Sequence, residues 1–163
     1  QLFWISYVTG MRISEIFTIK IKSVEGVDCF DVATDGGKTK AAQRIIPIHP
    51  KVKEMLPSLL SSDVVTFNSP SKTALGQRFG RFKNRVLEDM GQGSDKEHYC
   101  HHSFRHGFST ALLAAGYNEI EIADLTGHEK SNIGRTEAGK AYFHRQKIGK
   151  LVEMIETIKT MGG

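Results

Sequence analysis

Between Val24 and His49 the chain stops reading as helix. Val27-Asp-Cys-Phe-Asp-Val-Ala-Thr34 and Arg44-Ile-Ile-Pro-Ile-His49 are two short runs rich in β-branched and aromatic residues, and Asp35-Gly-Gly-Lys-Thr-Lys40 lies between them. Strand-forming runs bounded by glycine and aspartate predict an antiparallel hairpin with Lys38 and Lys40 at its tip. Pro47 cannot donate to a ladder, which places the second run at an edge or at its own end.

Outward from this hairpin the pattern is helical on both sides. Toward the N-terminus, Gln1–Val8 reads as the last two turns of an apolar helix, broken by Thr9-Gly10. Ile13, Ile16 and Phe17 then fall at helical spacing, with Arg12 and Glu15 three apart on a shared face. Toward the C-terminus, Val52–Leu60 and Thr73–Met90 read as helices. In the second, Leu75, Phe79, Phe82, Val86 and Met90 form the apolar stripe expected to be buried, while Arg78, Arg81, Lys83 and Arg85 occupy other faces. Gly91-Gln-Gly93 ends this helix, Phe104–Ala115 forms the next, Gly116 stops it, and Ile120–Leu125 is a further short one. A last amphipathic helix carries Ile148, Leu151, Val152, Ile155 and Ile158, a stripe that suits packing on its own core or exchange onto a neighbouring protomer. The expected fold is α+β, mainly α, with a small antiparallel β-sheet, as one domain over 1–163.

Composition bounds the function. With 163 residues, 39% hydrophobic and 25% charged, the chain suits one folded core rather than a disordered tail. No apolar run approaches the roughly 20 residues that span a bilayer, and the first residues lack a signal peptide's basic flank. Cys29 and Cys100 make neither a disulfide framework nor a metal knuckle, which suits a reducing, cytoplasmic interior. Lys and Arg number 22 against 18 Asp and Glu, a formal charge of +4 that favours a polyanionic partner.

Five separated stretches supply a charge set suited to one phosphodiester: Arg12, Lys38, the pair His102 and Arg105, His128 after Gly127, and Tyr142. Two guanidiniums offer forked donors to non-bridging phosphate oxygens and to the charge that develops in a pentacoordinate transition state. A tyrosine nucleophile needs a cationic field or a base, and a mobile lysine can protonate the leaving alkoxide. Each alone has a plainer reading: Arg12 with Glu15 as a surface ion pair, Lys38 as a solvated turn lysine, Tyr142 as a half-buried aromatic. His98, His101, His102 and His106 surround Cys100, but this cluster has no second half, so no metal is expected.

Thr9-Gly-Met-Arg-Ile-Ser-Glu15, His102-Ser-Phe-Arg-His106, Leu125-Thr-Gly-His128 and Ala141-Tyr-Phe-His144, in this order, resemble the signature boxes of the tyrosine recombinase, or phage integrase, family. The resemblance covers nearly the whole chain as that family's C-terminal catalytic domain. It implies cleavage and rejoining of double-stranded DNA through a covalent 3′-phosphotyrosine, with no metal or nucleotide cofactor, in the integration or excision of mobile DNA. Under it Tyr142 is the nucleophile, and Arg12 and Arg105 are the phosphate clamp. Lys38 is the general acid, with Lys40 its competitor. His102 is a proton-transfer or phosphate-binding partner, and His128 bonds the phosphate. Glu15 fixes an arginine or histidine. Lys40, Arg44 and the basic helix residues Arg78, Arg81, Lys83 and Arg85 are expected at DNA. The His128 to Tyr142 spacing is longer than in many members. The family's DNA-clamping N-terminal domain is expected ahead of this piece, which implies a monomer in isolation and a tetramer on DNA.

Two other classes fit parts of the pattern. Gly107–His128 resembles a helix-turn-helix that binds DNA without cutting it, and a type IB topoisomerase shares the same chemistry. Tyr7, Tyr99 and Tyr117 read as packing residues. His49 and His144 read as surface or phosphate-contacting groups.

Overall fold

The computed structural model describes residues 2–16, 19–32, 43–55, 71–93, 97–127 and 147–159. Among these the fold is mainly helical with one small antiparallel sheet, as expected. The helices are α1 (Leu2–Thr9), α2 (Ile13–Ile16), α3 (Pro50–Met55), α4 (Lys72–Asp89), α5 (His102–Ala114), α6 (Glu119–Thr126) and α7 (Ile148–Glu156), and the strands are β1 (Lys20–Val24), β2 (Val27–Val32) and β3 (Arg44–Pro47). Among the described residues no helix is long and apolar enough to cross a membrane.

The sheet has order β1-β2-β3, with Phe30 opposite Ile46 and Val32 opposite Arg44. Residues directly opposite one another share a face, so Phe30, Val32, Ile46 and Arg44 all point to the core side. Pro47 ends the edge strand β3, where its missing donor costs least. β1 is the element that the sequence reading missed. Its Lys20, Lys22 and Ser23 are polar because it is the other edge, and Val24 pairs with Val27 across Glu25-Gly26. Both turn residues have positive φ, 51° and 81°, the two-residue reversal that matches strand twist. The lysine tip, Lys38 and Lys40 included, lies outside the described residues.

One apolar cluster joins α1 (Ile5, Val8), α2 (Ile16), the sheet (Phe30, Ile46), α5 (Phe108, Leu112), α6 (Leu125) and α7 (Leu151, Met154, Ile155), with Ile158 just beyond. α7 therefore packs on its own core here. The residues just after it are fastened at three points: Tyr7 donates to the Lys159 carbonyl at 3.0 Å, Tyr117 and Thr157 hydroxyls lie 3.3 Å apart, and His49 Nε2 donates to Ile158 O at 3.3 Å. His49 Nδ1 accepts from the Lys51 amide at 3.0 Å, capping α3, so this buried histidine is a strap rather than a surface or phosphate-contacting group.

α4 departs from its expected burial. Leu75 and Phe79 are buried as expected, and Phe79 meets Phe3, His101 and Phe104 edge-on. Phe82 and Met90 are 50% and 63% exposed and Val86 is also exposed, whereas Leu87 is buried. The buried face turns along the helix, from Leu75 and Phe79 to Leu87, and so leaves Phe82, Val86 and Met90 outside it. Tyr99 is exposed rather than packed.

Candidate functional site

Two helices end in the same dipeptide, and those ends build the site. α1 closes on Thr9-Gly10 and α6 on Thr126-Gly127. In each, the threonine hydroxyl donates one turn back, Thr9 to Ile5 O and Thr126 to Ile122 O. In each, the glycine is left-handed, with φ of 62° and 68°, and its amide closes the last turn. The carbonyls at these ends carry the negative pole of the helix dipole. Arg105, reaching from α5, donates Nη1 to Gly10 O at 2.9 Å and Nη2 to Thr126 O. One guanidinium thus staples two helix ends. A buried cation costs several kcal/mol unless it is answered, and these carbonyls answer it.

Glycine is needed at both ends for space as well as for φ. A Cβ on Gly10 would stand 2.6 Å from Phe108 Cδ1, and one on Gly127 would stand 2.7 Å from Arg44 Nη1.

Arg44 is the second buried guanidinium. Its Nε donates to Leu125 O at 2.6 Å, and Nη1 and Nη2 reach Glu15 Oε1 and Oε2 at 3.2 and 2.8 Å. The expectation that Arg44 contacts DNA is corrected on this ground, since its side chain is 3% exposed and directed inward. Glu15 also receives Arg12, with Nη1 on Oε1 at 2.9 Å and the backbone amide on Oε2 at 2.7 Å, which caps α2. Arg12 is 40% exposed and is the solvent-facing member of the group.

The charges tune one another. Burial pushes the Glu15 carboxyl up, but hydrogen bonds and charge from Arg44 and Arg12 outweigh it and hold its pKa below the ordinary carboxylate value. Burial, with the neighbouring charges of Arg12 and Arg44, pushes Arg105 down to about 10, still cationic at neutral pH. His102 is exposed, and burial together with His106, Arg105 and Arg12 lowers its pKa, so it is mainly neutral at pH 7. Its ring lies edge-on to His106 at 4.8 Å. His101 faces the other way: its Nε2 lies 2.8 Å from Ser6 Oγ, its ring packs on Phe79 and Phe104, and burial lowers its pKa to about 4.

The structure therefore brings together Arg12, Glu15 and Arg105, with His102 within their electrostatic reach, and adds Arg44. Arg78, Arg81 and Arg85 are exposed on α4 at a spacing that shares one face. Lys83 is only half-exposed and donates to Tyr99 O at 2.9 Å, which ties α4 to the segment before α5. Lys38, Lys40, His128, Tyr142 and His144 lie outside the described residues.

Residues 1–147 match the family model described as the phage integrase family. The chain belongs to the phage integrase family. Among curated proteins this integrase-family chain is similar to the tyrosine recombinase XerC of Bacillus subtilis, 32% identical over 152 residues, 86% of this chain and 47% of that one. XerC of Rickettsia canadensis is 30% identical over 130 residues, 76% of this chain and 41% of that one. A tyrosine recombinase of Pseudothermotoga lettingae is 25% identical over 154 residues, 92% and 51% of the two chains. The chain thus spans about half the length of the curated relatives it matches. No solved structure matches it.

Proposed function

We propose that this chain is the catalytic part of a site-specific DNA recombinase that breaks and rejoins strands through a 3′-phosphotyrosine. The observation that carries the reading is the convergence of Arg12 and Arg105, from boxes 93 positions apart, on one cationic centre with His102 beside it. Membership of the family supports the rest.

In this mechanism the scissile phosphate meets the Arg12 and Arg105 guanidiniums, which take its non-bridging oxygens and the charge that grows on them. The Tyr142 phenolic oxygen forms a bond to phosphorus while the bond from phosphorus to the 5′ oxygen breaks. The phenolic proton leaves to a neutral base, for which His102 is suited, and the 5′ alkoxide takes a proton from Lys38. His128 bonds the phosphate. Attack by a 5′-hydroxyl on the phosphotyrosine reverses these steps, so the phosphoester bond is conserved without a metal or nucleotide cofactor. Arg78, Arg81 and Arg85 provide a basic strip for the duplex backbone. The whole protein acts as a tetramer on paired sites of mobile DNA, in the cytoplasm, and the isolated piece is a monomer.

The helix-turn-helix alternative has less support, because α5 and α6 turn Arg105, Phe108, Leu112, Ile122 and Leu125 into the core. The two readings separate with Tyr142→Phe on nicked duplexes tiling the DNA around the gene. The recombinase reading expects covalent adduct with the wild-type chain, none with the variant, and equal affinity for both. Failure of the wild-type chain to form any adduct, with DNA affinity intact, favours the binding module. Relaxation of supercoiled plasmid without strand exchange would indicate topoisomerase action instead.

A further inference from the structure

We propose that Arg44 is the positioning residue of the phosphate clamp: its guanidinium holds the Glu15 carboxylate and the end of α6 together, and thereby orients both Arg12 and Arg105. The inference rests on the phosphodiester reading of the site given above. Three atoms of one side chain do this in two directions. Nη1 and Nη2 take the two Glu15 oxygens at 3.2 and 2.8 Å, and Nε takes Leu125 O at 2.6 Å.

Each grip leads to a different clamp arginine. The same two Glu15 oxygens hold the Arg12 guanidinium at 2.9 Å and the Arg12 amide at 2.7 Å, so the carboxylate that Arg44 fixes is the one that aims Arg12. Leu125 and Thr126 are adjacent, and the Thr126 carbonyl is a seat of Arg105, so the helix end that Arg44 fixes is the one that aims Arg105. Gly127 completes the fit, because a side chain there would displace Arg44.

Charge points the same way. Alone with Arg12 and Arg105, the Glu15 carboxylate would offset half of their positive charge and compete with an incoming phosphate for both. Arg44 answers that carboxylate, so both guanidinium charges act on the anion. Lysine cannot substitute, since one ammonium nitrogen cannot reach a forked carboxylate and a carbonyl on the other side.

The test uses the full chain with nitrogen-15 arginine side chains and dimethyl phosphate, a diester monoanion, as probe. R44K and R44M are expected to weaken dimethyl phosphate binding by about fivefold or more and to shift the Nε–H resonances of Arg12 and Arg105. R44M/E15Q is expected to regain part of that loss, because it removes the uncompensated carboxylate charge that competes with the phosphate, while the Arg12 and Arg105 resonances stay displaced, a combination that a residue merely holding β3 in place would not show. If R44M does not fold, R44K decides alone. Wild-type affinity with unmoved Arg12 and Arg105 resonances in R44K overturns the proposal. So does a folded R44M/E15Q that binds no better than a folded R44M. A missing Tyr142 adduct would sink the recombinase reading and leave this measurement standing.

Discussion

The Arg44 guanidinium occupies the space that a side chain at Gly127 would need, with Nη1 2.7 Å from where a Cβ would stand. Gly10 stands in the same relation to Phe108, at 2.6 Å, whereas Gly116, at φ 92°, has nothing within 4 Å. Alanine in the left-handed region costs about 1 kcal/mol in backbone energy alone. Gly116→Ala should therefore lose about 1 kcal/mol in urea unfolding, and Gly10→Ala and Gly127→Ala about 2 kcal/mol or more, because a packed side chain must also move. Equal losses at all three positions would mean that the close approaches do not matter.

Arg105→Lys keeps the charge and removes the fork. A single ammonium cannot serve Gly10 O and Thr126 O together, and a buried acceptor left without its donor costs about 1–3 kcal/mol. Urea unfolding should report that loss. Covalent adduct formation should fall by about 100-fold or more in the fraction that stays folded, because transition-state charge loses a forked donor.

His101 predicts a pH dependence of stability. Its pKa falls from an ordinary 6.5 to about 4 in the folded chain, through burial and the charge of His102. Between those values the unfolded chain binds the extra proton, so stability drops as pH falls from 6.5 toward 4. His49 and His102 are shifted the same way, and Glu15, with its lowered pKa, loses its contribution as pH falls further. His101→Phe keeps a ring against Phe79 and Phe104 while removing the titrating nitrogens, and should flatten the melting temperature against pH within that window. An unchanged slope would remove His101 from this account.

α7 contributes to this chain's own core, so its loss should be felt in the monomer. Met154 is fully buried. Met154→Ala should cost about 2–5 kcal/mol, and a chain shortened to end at Lys147 should lose cooperative unfolding altogether. A shortened chain that unfolds as sharply as the full one would show that α7 is dispensable to the core and suited to exchange.

Much of this was legible in the residues. The central hairpin followed from β-branched runs around a glycine turn, and the end of α1 followed from the break at Thr9-Gly10. Arg12, Glu15 and Arg105 were readable as charges in ordered boxes. Arg44 was misread because an arginine on a strand after a lysine-rich turn suggests a polyanion. Its alternation with Ile46 and Ile48, both buried, was the available signal that it faces inward. β1 was missed because an edge strand carries lysines where an inner one carries valines. In the outer half of α4 the buried residue is Leu87 rather than Val86 or Met90 of the stripe, a turn of the receiving surface that no single-helix pattern reveals. The conjunction of two Thr-Gly ends around one guanidinium is a tertiary fact that spacing along the chain does not contain.

In the proposed reaction Tyr142 delivers its oxygen to the phosphate that Arg12 and Arg105 receive. The direct measurement is peptide mapping, by mass spectrometry, of the covalent adduct formed with a nicked suicide duplex. The account predicts one modified peptide, carrying the 3′-phosphate on Tyr142, and no adduct when Arg105 is replaced by alanine. An adduct on Tyr7, Tyr99, Tyr117 or any serine, or an Arg105→Ala chain that forms the Tyr142 adduct at the wild-type rate, would contradict it.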